Sequence, residues 1–293
     1  MNSFFHRIYF FLKIGWLWGA RKKVPDCDIT DDYNQLAATY DEFFSGYMAP
    51  HALHLAQKIP LPPGPLKALD LACGTGTLTR AVGGRLGPGS SLTAVDLSEK
   101  MLEQAKKKSP WPGTFVAEDM MTFIRQAREA SYNIVTAGWA IGYTHPQTLM
   151  KEIRRVLAPG GAVGIIENQQ STLWEIRNTG MKVMMRYPQH IRQIMSLMFR
   201  LPENKECLRR WFHNAGLKTM EIWDGRIEFR FKSGVDVLNW VLHTGASAGF
   251  DRMMDPGVKY LCDRAFIEII EKDYMRDGQI TTAHRFVAGV AQK

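Results

Sequence analysis

Apolar and polar positions follow two different periods between residues 66 and 167. Short apolar runs predict buried strands, and stretches with an apolar residue every three or four positions predict helices between them. The regular succession of strand and helix predicts an α/β fold with a parallel, doubly wound sheet. The five predicted strands cover residues 66–72, 91–97, 113–119, 132–138 and 162–167.

Local signals predict where the neighbouring helices begin. One helix is expected from about Thr77, Ser98 is expected to cap the next, and Pro146 is expected to begin the helix after the fourth strand. Residues 158–161, Ala-Pro-Gly-Gly, predict a turn, and the Pro-rich run 61–65 predicts a boundary. We therefore expect three parts. An N-terminal segment comprises residues 1–25, residues 26–65 form helices that cover the functional site, and residues 66–293 form the main domain.

The N-terminal segment has a pattern of its own. Its apolar run is interrupted by charges and is too short to span a bilayer, which needs about 20 residues. On a helical wheel, His6 and Lys13 lie opposite an aromatic and aliphatic face made of Phe4, Phe5, Ile8, Phe11, Leu12 and Trp16. This pattern predicts an interfacial helix that binds the membrane through residues 1–24, on the cytoplasmic face. The alternative is packing on the protein's own body or on a partner subunit, including a homodimer.

Charge and cysteine usage narrow the functional class. Five of the eight net positive charges lie in the first 25 residues, so the rest of the chain is only mildly basic. A nucleic-acid enzyme more often spreads positive charge over its catalytic face, and we expect no nucleic-acid partner. The four cysteines are far apart and form no CxxC, which argues against a zinc site or a disulfide framework and favours a reducing cytosol. We expect no metal.

Acidic residues fall where four of the predicted strands end. Asp70, Asp96, Asp119 and Glu167 lie at the ends of the first, second, third and fifth predicted strands. The carboxyl ends of parallel strands lie along one edge of the sheet, and ligands of doubly wound folds bind there. The four carboxylates therefore predict a ligand site at this edge.

A glycine-rich stretch after the first strand limits the identity of that ligand. Gly74 and Gly76 begin a dinucleotide fingerprint, but Thr79 stands at its third glycine position, and no Gly-Lys-Ser/Thr of a P-loop is present. Asp70 would repel a pyrophosphate and suits a cationic cofactor. S-adenosylmethionine carries a sulfonium and an ammonium but no phosphate. Asp96 suits two ribose hydroxyls, and Asp119 an adenine amino group.

Several motifs in this order resemble one enzyme family. The motifs are LDLACGTG at 69–76, AVDLSEKML at 94–102, VAEDM at 116–120, YNIVTAGWAIGY at 132–143 and RRVLAPGG at 154–161, preceded by YNQLAATYD at 33–41. They resemble the class I S-adenosylmethionine-dependent methyltransferases, especially the branch of quinone and small-molecule methyltransferases. The resemblance implies a Rossmann-like seven-stranded sheet in the order 3-2-1-4-5-7-6 with its last strand antiparallel. The last two strands are then expected near residues 217–231 and 282–292.

The resemblance also implies roles for individual residues. The methionine end of the cofactor is expected at the glycine-rich turn, its ribose and adenine at the ends of the second and third strands, and its sulfonium near the end of the fourth. Two tyrosines of the N-terminal helices are expected to close over it. The implied cofactor-binding residues are Tyr33, Tyr40, Asp70, Ala72, Cys73, Gly74, Gly76, Asp96, Leu97, Asp119, Met120, Ala137 and Gly138.

Methyl transfer requires a base only when the acceptor must lose a proton. His145 follows the fourth strand on the expected edge, and Tyr143 and Glu167 are its neighbours, so these three are the candidate catalytic residues. The alternative for His145 is a capping or exposed histidine, since it stands in a loop before a proline.

The acceptor is expected to be hydrophobic. Residues 170–202 hold methionines and basic residues, which predicts a helical cap over a quinone, an isoprenoid phenol or a lipid. The alternative is an ordinary pair of amphipathic helices that pack on the sheet. Residues 237–254 supply a further apolar helix and a Gly-rich turn. Three alternatives stay open: a water-soluble acceptor, transfer of another group, and a protein that binds the cofactor without catalysis. A nucleic-acid methyltransferase is disfavoured, because GWAIGY stands after the fourth strand in place of the element expected there.

Overall fold

The predicted succession of strands builds the central sheet. The computed structural model describes residues 3–195, 200–244 and 251–293. Its strands are β1 (Lys67–Leu71), β2 (Ser91–Asp96), β3 (Thr114–Ala117), β4 (Tyr132–Gly138), β5 (Leu157–Asn168), β6 (Lys218–Phe231), β7 (Met275–Arg276) and β8 (Gln279–Gln292). Their order is β3-β2-β1-β4-β5-β8-β6, with β7 paired to β8. Strands β1 to β5 pair in parallel, and β8 is antiparallel to β5. The fold class and the position of the antiparallel strand are confirmed.

The sheet has eight strands rather than the seven expected, because β7 was not predicted. It consists of two residues that pair with the first two of β8. Asp277 and Gly278 join the two strands, both with positive φ, at +49° and +72°. Two-residue Asp-Gly connections favour this kind of hairpin turn. The dipeptide was therefore the signal in the sequence for the extra strand.

Strand β5 also begins earlier than the predicted residue 162. The turn predicted at residues 158–161 lies within β5 as an irregularity in its pairing with β4. Tyr132 pairs with Leu157 while Ile134 pairs with Ala162, so β5 has several more residues than β4 over this stretch. Gly160 accommodates the irregularity with a φ of +75°.

The described helices are α1 (Ser3–Gly19), α2 (Asp26–Leu36), α3 (Gly46–Lys58), α4 (Thr77–Gly83), α5 (Glu99–Lys108), α6 (Met120–Gln126), α7 (Pro146–Val156), α8 (Trp174–Arg186), α9 (Lys205–Asn214), α10 (Gly234–His243) and α11 (Lys259–Tyr274). Of these, α4, α5 and α7 begin where local signals predict. The Ser98 hydroxyl accepts from the Met101 amide at 3.1 Å, as expected of an N-cap. None of the described helices is long and apolar enough to cross a bilayer. All four cysteines lie within the described residues, and none is paired in a disulfide.

The chain divides into two compact units, and the first contains most of the sheet. It comprises Ala37–Gln170, Leu197–Arg226 and Arg285–Lys293. Its core lies between the sheet and helices α6, α7 and α9, with Val135 and Phe212 fully buried. Helix α3 covers the other face closely, because a Cβ on Gly164 would lie only 2.7 Å from Cδ1 of Ile59. Residues 46–65 belong to the same unit as this part of the sheet.

The second unit comprises Met1–Leu36, Ser171–Ser196 and Ile227–His284. One apolar cluster joins α8, α10 and α11, and includes Val237, Phe266 and Ile270. A second joins α1 to the segment after α8 through Phe10, Leu17, Ile191 and Ile194. Along the N-terminal part of the chain, the boundary between the two units falls between residues 36 and 37.

Among the described residues of the expected cap at 170–202 there is one α-helix, α8. Pro188 follows α8 and begins a short 3-10 turn, after which Ile191 and Ile194 form single bridges with Met254 and Lys23. Met184 and Met185 of α8 pack against the α1 cluster. Met198 and the predicted Gly-rich turn at residues 245–250 lie outside the described residues.

Candidate cofactor and active site

The glycine-rich turn after β1 has an unusual backbone. Ala72, Gly74 and Gly76 all have positive φ, at +51°, +54° and +83°. The Cys73 amide donates to the Val95 carbonyl at 2.9 Å and so ties the turn to β2. A Cβ on Gly74 would meet no atom within 4 Å, whereas one on Gly76 would lie 3.1 Å from Cβ of Ala105. The turn is therefore packed on one side, and at Gly74 its backbone faces open space.

Asp96, at the end of β2, is bound to this turn. Its Oδ2 accepts from the Gly74 amide at 2.7 Å, and its Oδ1 accepts from the Ser98 amide at 2.9 Å. Burial raises the pKa of Asp96, although the backbone donors act in the opposite direction. Each carboxylate oxygen has a second acceptor position, so Asp96 can bind hydroxyls of a ligand and retain both amides.

Asp70 lies beneath the turn rather than on its surface. Its side chain is buried and accepts from the Thr79 hydroxyl at 2.5 Å and from the Thr136 hydroxyl at 2.8 Å. Burial raises the pKa of Asp70 to about 6, against the lowering effect of the two threonines. In this geometry Asp70 joins β1, β4 and α4, and it acts on a ligand only through the turn that it supports.

The end of β3 and the residue after β2 form the opposite part of the edge. Asp119 caps α6, because its Oδ1 accepts from the Thr122 amide at 2.9 Å. Leu97 is exposed although it is apolar, and Met120 is buried in the core of the sheet unit. Leu97 directly follows Asp96, so an exposed apolar side chain stands next to a carboxylate in the sequence at this edge.

The end of β4 brings a strained residue to the same edge. Ala137 is fully buried, and a Cβ on Gly138 would lie 3.3 Å from Cγ2 of Ile166. Trp139 follows with a φ of +54°, which is rare for a residue other than glycine. Its amide donates to the Ile166 carbonyl at 2.8 Å, and this bond fixes the start of the loop. Strain of this kind is common at functional sites.

Glu167 holds the loop after β4 in place. One of its carboxylate oxygens accepts from the amides of Ile141 and Gly142 at 2.6 and 3.2 Å, and the other accepts from the Asn168 amide at 2.7 Å. The side chain is only 1% exposed. Burial raises the pKa of Glu167 to about 7, in opposition to these three amides. The geometry favours a positioning role for Glu167 over proton transfer to an acceptor.

Tyr143 and His145, the other two candidate bases, have different surroundings from those of Glu167. Tyr143 packs partly buried against the core of the sheet unit, and its carbonyl accepts from Arg200 at 3.3 Å. His145 is exposed at the N-cap of α7, with its Nδ1 3.4 Å from the Thr148 hydroxyl. The role of a base at this site therefore stays a prediction.

The two tyrosines expected over the cofactor lie in different units. Tyr40 precedes a π-helical turn in the sheet unit, with its ring centroid 5.1 Å from that of Phe44. Tyr33 lies in α2, within the second unit. The expected contacts of both with the cofactor stay predictions.

Burial of Glu167 predicts a pH-dependent stability. Between pH 4.5 and 7 this residue is protonated in the folded state and ionised in the unfolded state, so the folded state binds more protons. Its contribution to stability is therefore fully present below pH 4.5 and is lost as the pH rises through about 7. We expect the free energy of unfolding of the wild type to fall by about 3 kcal/mol more over this window than that of Glu167→Gln. Urea unfolding at pH 4.5 and 8 measures the difference, and equal pH slopes would contradict it.

Comparisons with known proteins agree with this geometry. The sequence profile of the methyltransferase domain family matches residues 68–161, which include β1 to β4 and the whole glycine-rich turn. A demethylmenaquinone methyltransferase of Lactobacillus johnsonii is 32% identical over 160 residues, covering 51% of this chain and 64% of the relative. One from Staphylococcus aureus is 37% identical over 113 residues, covering 36% of this chain and 45% of the relative. Residues 68–161 are therefore similar to the methyltransferase domain family, and the curated relatives share this similarity.

The extent of each match limits what can be carried over from these relatives to this chain. The chain spans between about half and two thirds of the length of these curated relatives. A solved structure from Bacillus halodurans C-125, provisionally assigned as a methyltransferase, covers 83% of this chain and 99% of its own with a TM-score of 0.54. Its sequence identity is 19%, so this similarity concerns the fold.

The residues present fit S-adenosylmethionine, the cofactor of the family. The Thr77 hydroxyl, directly after the glycine-rich turn, is buried and has no hydrogen-bond partner among the residues that the structure describes. A polar group of the cofactor's methionine end would satisfy it. The open space at Gly74 admits a ligand close to the backbone, and the acceptor positions of Asp96 suit a ribose.

Several site residues escaped prediction from the sequence. Thr79 was noted as an irregular third position of the glycine fingerprint, and the structure shows that its hydroxyl binds Asp70. The partner across the sheet, Thr136, stands beside Asp70 in the register of β1 and β4. Trp139 carried no signal, because positive φ in a residue other than glycine is not visible in a sequence.

Proposed function

We propose that this protein transfers a methyl group from S-adenosylmethionine to a hydrophobic, quinone-type acceptor at a membrane surface. The observation that carries the proposal is the hydrogen bond that joins the open glycine-rich turn to Asp96 at the end of β2. The turn lies at β1, beside the point where the strand order reverses between β1 and β4. Doubly wound sheets bind their ligands at such points.

In this proposal the cofactor lies along the edge formed by β1, β2 and β3. Asp96 accepts the ribose hydroxyls, and Asp119 accepts the adenine amino group through the oxygen that does not cap α6. Leu97 and Met120 contact the adenine ring. The backbone of Ala72, Cys73, Gly74 and Gly76 holds the methionine end, and Asp70 supports this backbone from beneath.

S-adenosylmethionine supplies an electrophilic methyl group on a positively charged sulfur. The protein's task is therefore to align an acceptor with that methyl group and to exclude water. We assign the alignment to Ala137, Gly138 and the loop that Glu167 holds. A phenolic acceptor must lose its hydroxyl proton to make oxygen or an adjacent ring carbon nucleophilic, and we assign this proton to His145. Tyr143 supports the same loop from the core.

The nature of the acceptor rests on the relatives and on helix α1. Both curated relatives are named demethylmenaquinone methyltransferases, which makes a hydroquinone with an apolar tail the first candidate. Such a molecule resides in the bilayer, so an enzyme that uses it benefits from binding the membrane. The remaining candidates of the same chemistry are isoprenoid phenols and lipids.

Helix α1 supports a membrane surface. Its inner face packs through Phe10 and Leu17, which are 6% and 1% exposed. On its outer face Ile8, Phe11, Leu12 and Trp16 are exposed, Phe11 and Leu12 by about two thirds. These are the described members of the apolar face predicted from the helical wheel. A row of exposed large apolar residues along one helix is typical of an interaction surface.

Two lysine–tryptophan pairs border the apolar face. Lys13 lies with its Nζ 5.1 Å from the centre of the Trp16 ring, and Lys23 lies 5.2 Å from that of Trp18. Amphipathic tryptophan rings favour the headgroup level of a bilayer, and lysines at that level attract anionic lipids. We therefore propose that α1 lies in the plane of an anionic membrane with its apolar face immersed.

An acceptor panel tests the proposed reaction. We expect the purified protein to transfer label from methyl-labelled S-adenosylmethionine to reduced demethylmenaquinone in detergent, and not to a catechol without an apolar tail, since burial of the tail supplies binding energy. Label in the organic phase and formation of S-adenosylhomocysteine measure the transfer. Label in the catechol at equal or higher rate would contradict the hydrophobic acceptor, and cofactor binding without any transfer would favour a non-catalytic protein.

A further inference from the structure

A π-helical turn formed by Asp41–Ser45 lies against the cofactor edge of the sheet unit. The Gly46 amide donates to the Asp41 carbonyl to close the turn, and a Cβ on Gly46 would lie 3.0 Å from that oxygen. The glycine therefore permits a geometry that most residues would strain. Single π-helical turns are rare and occur frequently at functional sites.

Asp41, the first residue of this turn, binds the centre of the glycine-rich turn. Its Oδ1 accepts from the Thr75 hydroxyl at 2.5 Å, and its Oδ2 forms an ion pair with Lys108 Nζ at 2.6 Å. The Ser45 hydroxyl lies 3.3 Å from that of Thr75. Partial burial would raise the pKa of Asp41, but hydrogen bonds from Lys108, Thr75 and Ser45, and the charge of Lys108, hold this pKa below its usual value. The carboxylate is therefore ionised at neutral pH and accepts from both partners.

The glycine-rich turn needs such an external contact. A left-handed conformation disfavours any residue with a Cβ, and Ala72 adopts one next to two left-handed glycines. Asp96 holds the turn by the amide of Gly74, and Arg80 donates to the carbonyl of Thr75 at 2.8 Å. The side chain of Thr75 is buried, and Asp41 is the charged group that binds it.

The same π-helical turn reaches the loop after β4. Phe44 contacts Trp139 edge to face, with ring centroids 6.2 Å apart. The turn Asp41–Ser45 thus contacts the residues that follow both β1 and β4, and these two strands are neighbours in the sheet. The cofactor's methionine end and sulfonium belong between these two loops in the proposed function.

We propose that Asp41 is a positioning residue for the cofactor. Through Thr75 it fixes the glycine-rich turn in the conformation that binds the methionine end, and Lys108 orients its carboxylate. This inference rests on the proposed function, because it assumes that the turn holds the cofactor. Asp41 does not touch the reacting atoms, so it affects cofactor binding and leaves the transfer step unchanged.

Four variants test this role. Asp41→Ala removes both contacts, Thr75→Val removes the hydroxyl, and Asp41→Asn retains an acceptor for Thr75 but loses the ion pair. Glu103→Ala is the matched control, since it breaks the exposed Lys100–Glu103 pair on the same helix α5 that carries Lys108. We expect Asp41→Ala and Thr75→Val to raise the dissociation constant and KM for S-adenosylmethionine about tenfold, with Asp41→Asn between them and the wild type. The value of kcat at saturating cofactor is expected to stay within about twofold.

Hydrogen exchange on the ligand-free proteins separates this inference from the proposed function. We expect amides of residues 72–76 to exchange about tenfold faster in Asp41→Ala than in Glu103→Ala, because the turn loses the hydrogen bond from Thr75 to Asp41. Unchanged exchange, or a kcat that falls as far as KM rises, would overturn the role of Asp41. A wild type that binds no S-adenosylmethionine would instead contradict the proposed function.

Discussion

Replacing Asp96 by asparagine is expected to weaken S-adenosylmethionine binding at least about 100-fold, because hydrogen bonds from ribose hydroxyls to a carboxylate contribute about 1.5–3 kcal/mol each. In the structure this carboxylate already accepts from the amides of Gly74 and Ser98. An asparagine has one acceptor oxygen, so it cannot serve these amides and two hydroxyls together. Calorimetric titration with S-adenosylmethionine and S-adenosylhomocysteine measures the loss.

The matched control for this substitution is Glu103→Gln, which also neutralises a carboxylate but on the exposed surface of α5. It should bind the cofactor as the wild type does. Thermal unfolding of both variants verifies that they fold. Binding by a folded Asp96→Asn protein within about threefold of the wild type would remove Asp96 from the ribose site.

Removing the apolar face of α1 is expected to abolish membrane binding. Phe11→Ser together with Leu12→Ser removes two side chains that are 65% and 67% exposed, so the fold should be little affected. Immersion of each would contribute about 1.5–3 kcal/mol, so the double variant should bind vesicles at least about 100-fold more weakly. Sedimentation with vesicles of phosphatidylcholine and phosphatidylglycerol measures the partition. Wild-type binding should also weaken at high salt if Lys13 and Lys23 contact anionic lipid.

Helix α11 provides a matched control for this pair of substitutions. Tyr260 and Leu261 are adjacent apolar residues, exposed by 73% and 44%, on a helix of the same unit. Replacing both by serine removes a comparable apolar area and should leave vesicle binding unchanged. An equal loss in the two double variants would indicate a general effect of surface hydrophobicity, and no loss in either would contradict the membrane role of α1.

Periodicity predicted the parallel part of the fold well, because it depends on local patterns. Strands β1 to β5 and the starts of α4 and α7 follow from apolar runs, a glycine turn and a proline. The irregularity before Ala162 did not follow, since it depends on how β5 pairs with β4. The bridges of Ile191 with Met254 and of Ile194 with Lys23 did not follow either, because they join parts of the chain that are far apart in sequence.

The candidate site, too, could be predicted only in part from the sequence. The glycine-rich turn and the carboxylates at strand ends could be located from the sequence, because strand ends and motifs are local. Their actual contacts could not. Asp70 binds Thr136 because β1 and β4, which are far apart in sequence, pair in the sheet. Asp41 binds Thr75, which lies 34 residues further along the chain. Burial then decides the protonation of Glu167, and no pattern of residues in the sequence reports that burial.

The most direct test of the account is methyl transfer at a membrane. The protein would be given methyl-labelled S-adenosylmethionine and anionic vesicles that contain reduced demethylmenaquinone. The account predicts label in the quinone fraction, one S-adenosylhomocysteine for each methyl group transferred, and a lower rate for the Phe11→Ser, Leu12→Ser variant. A protein that binds the cofactor but leaves the quinone and lipid fractions unlabelled would contradict it.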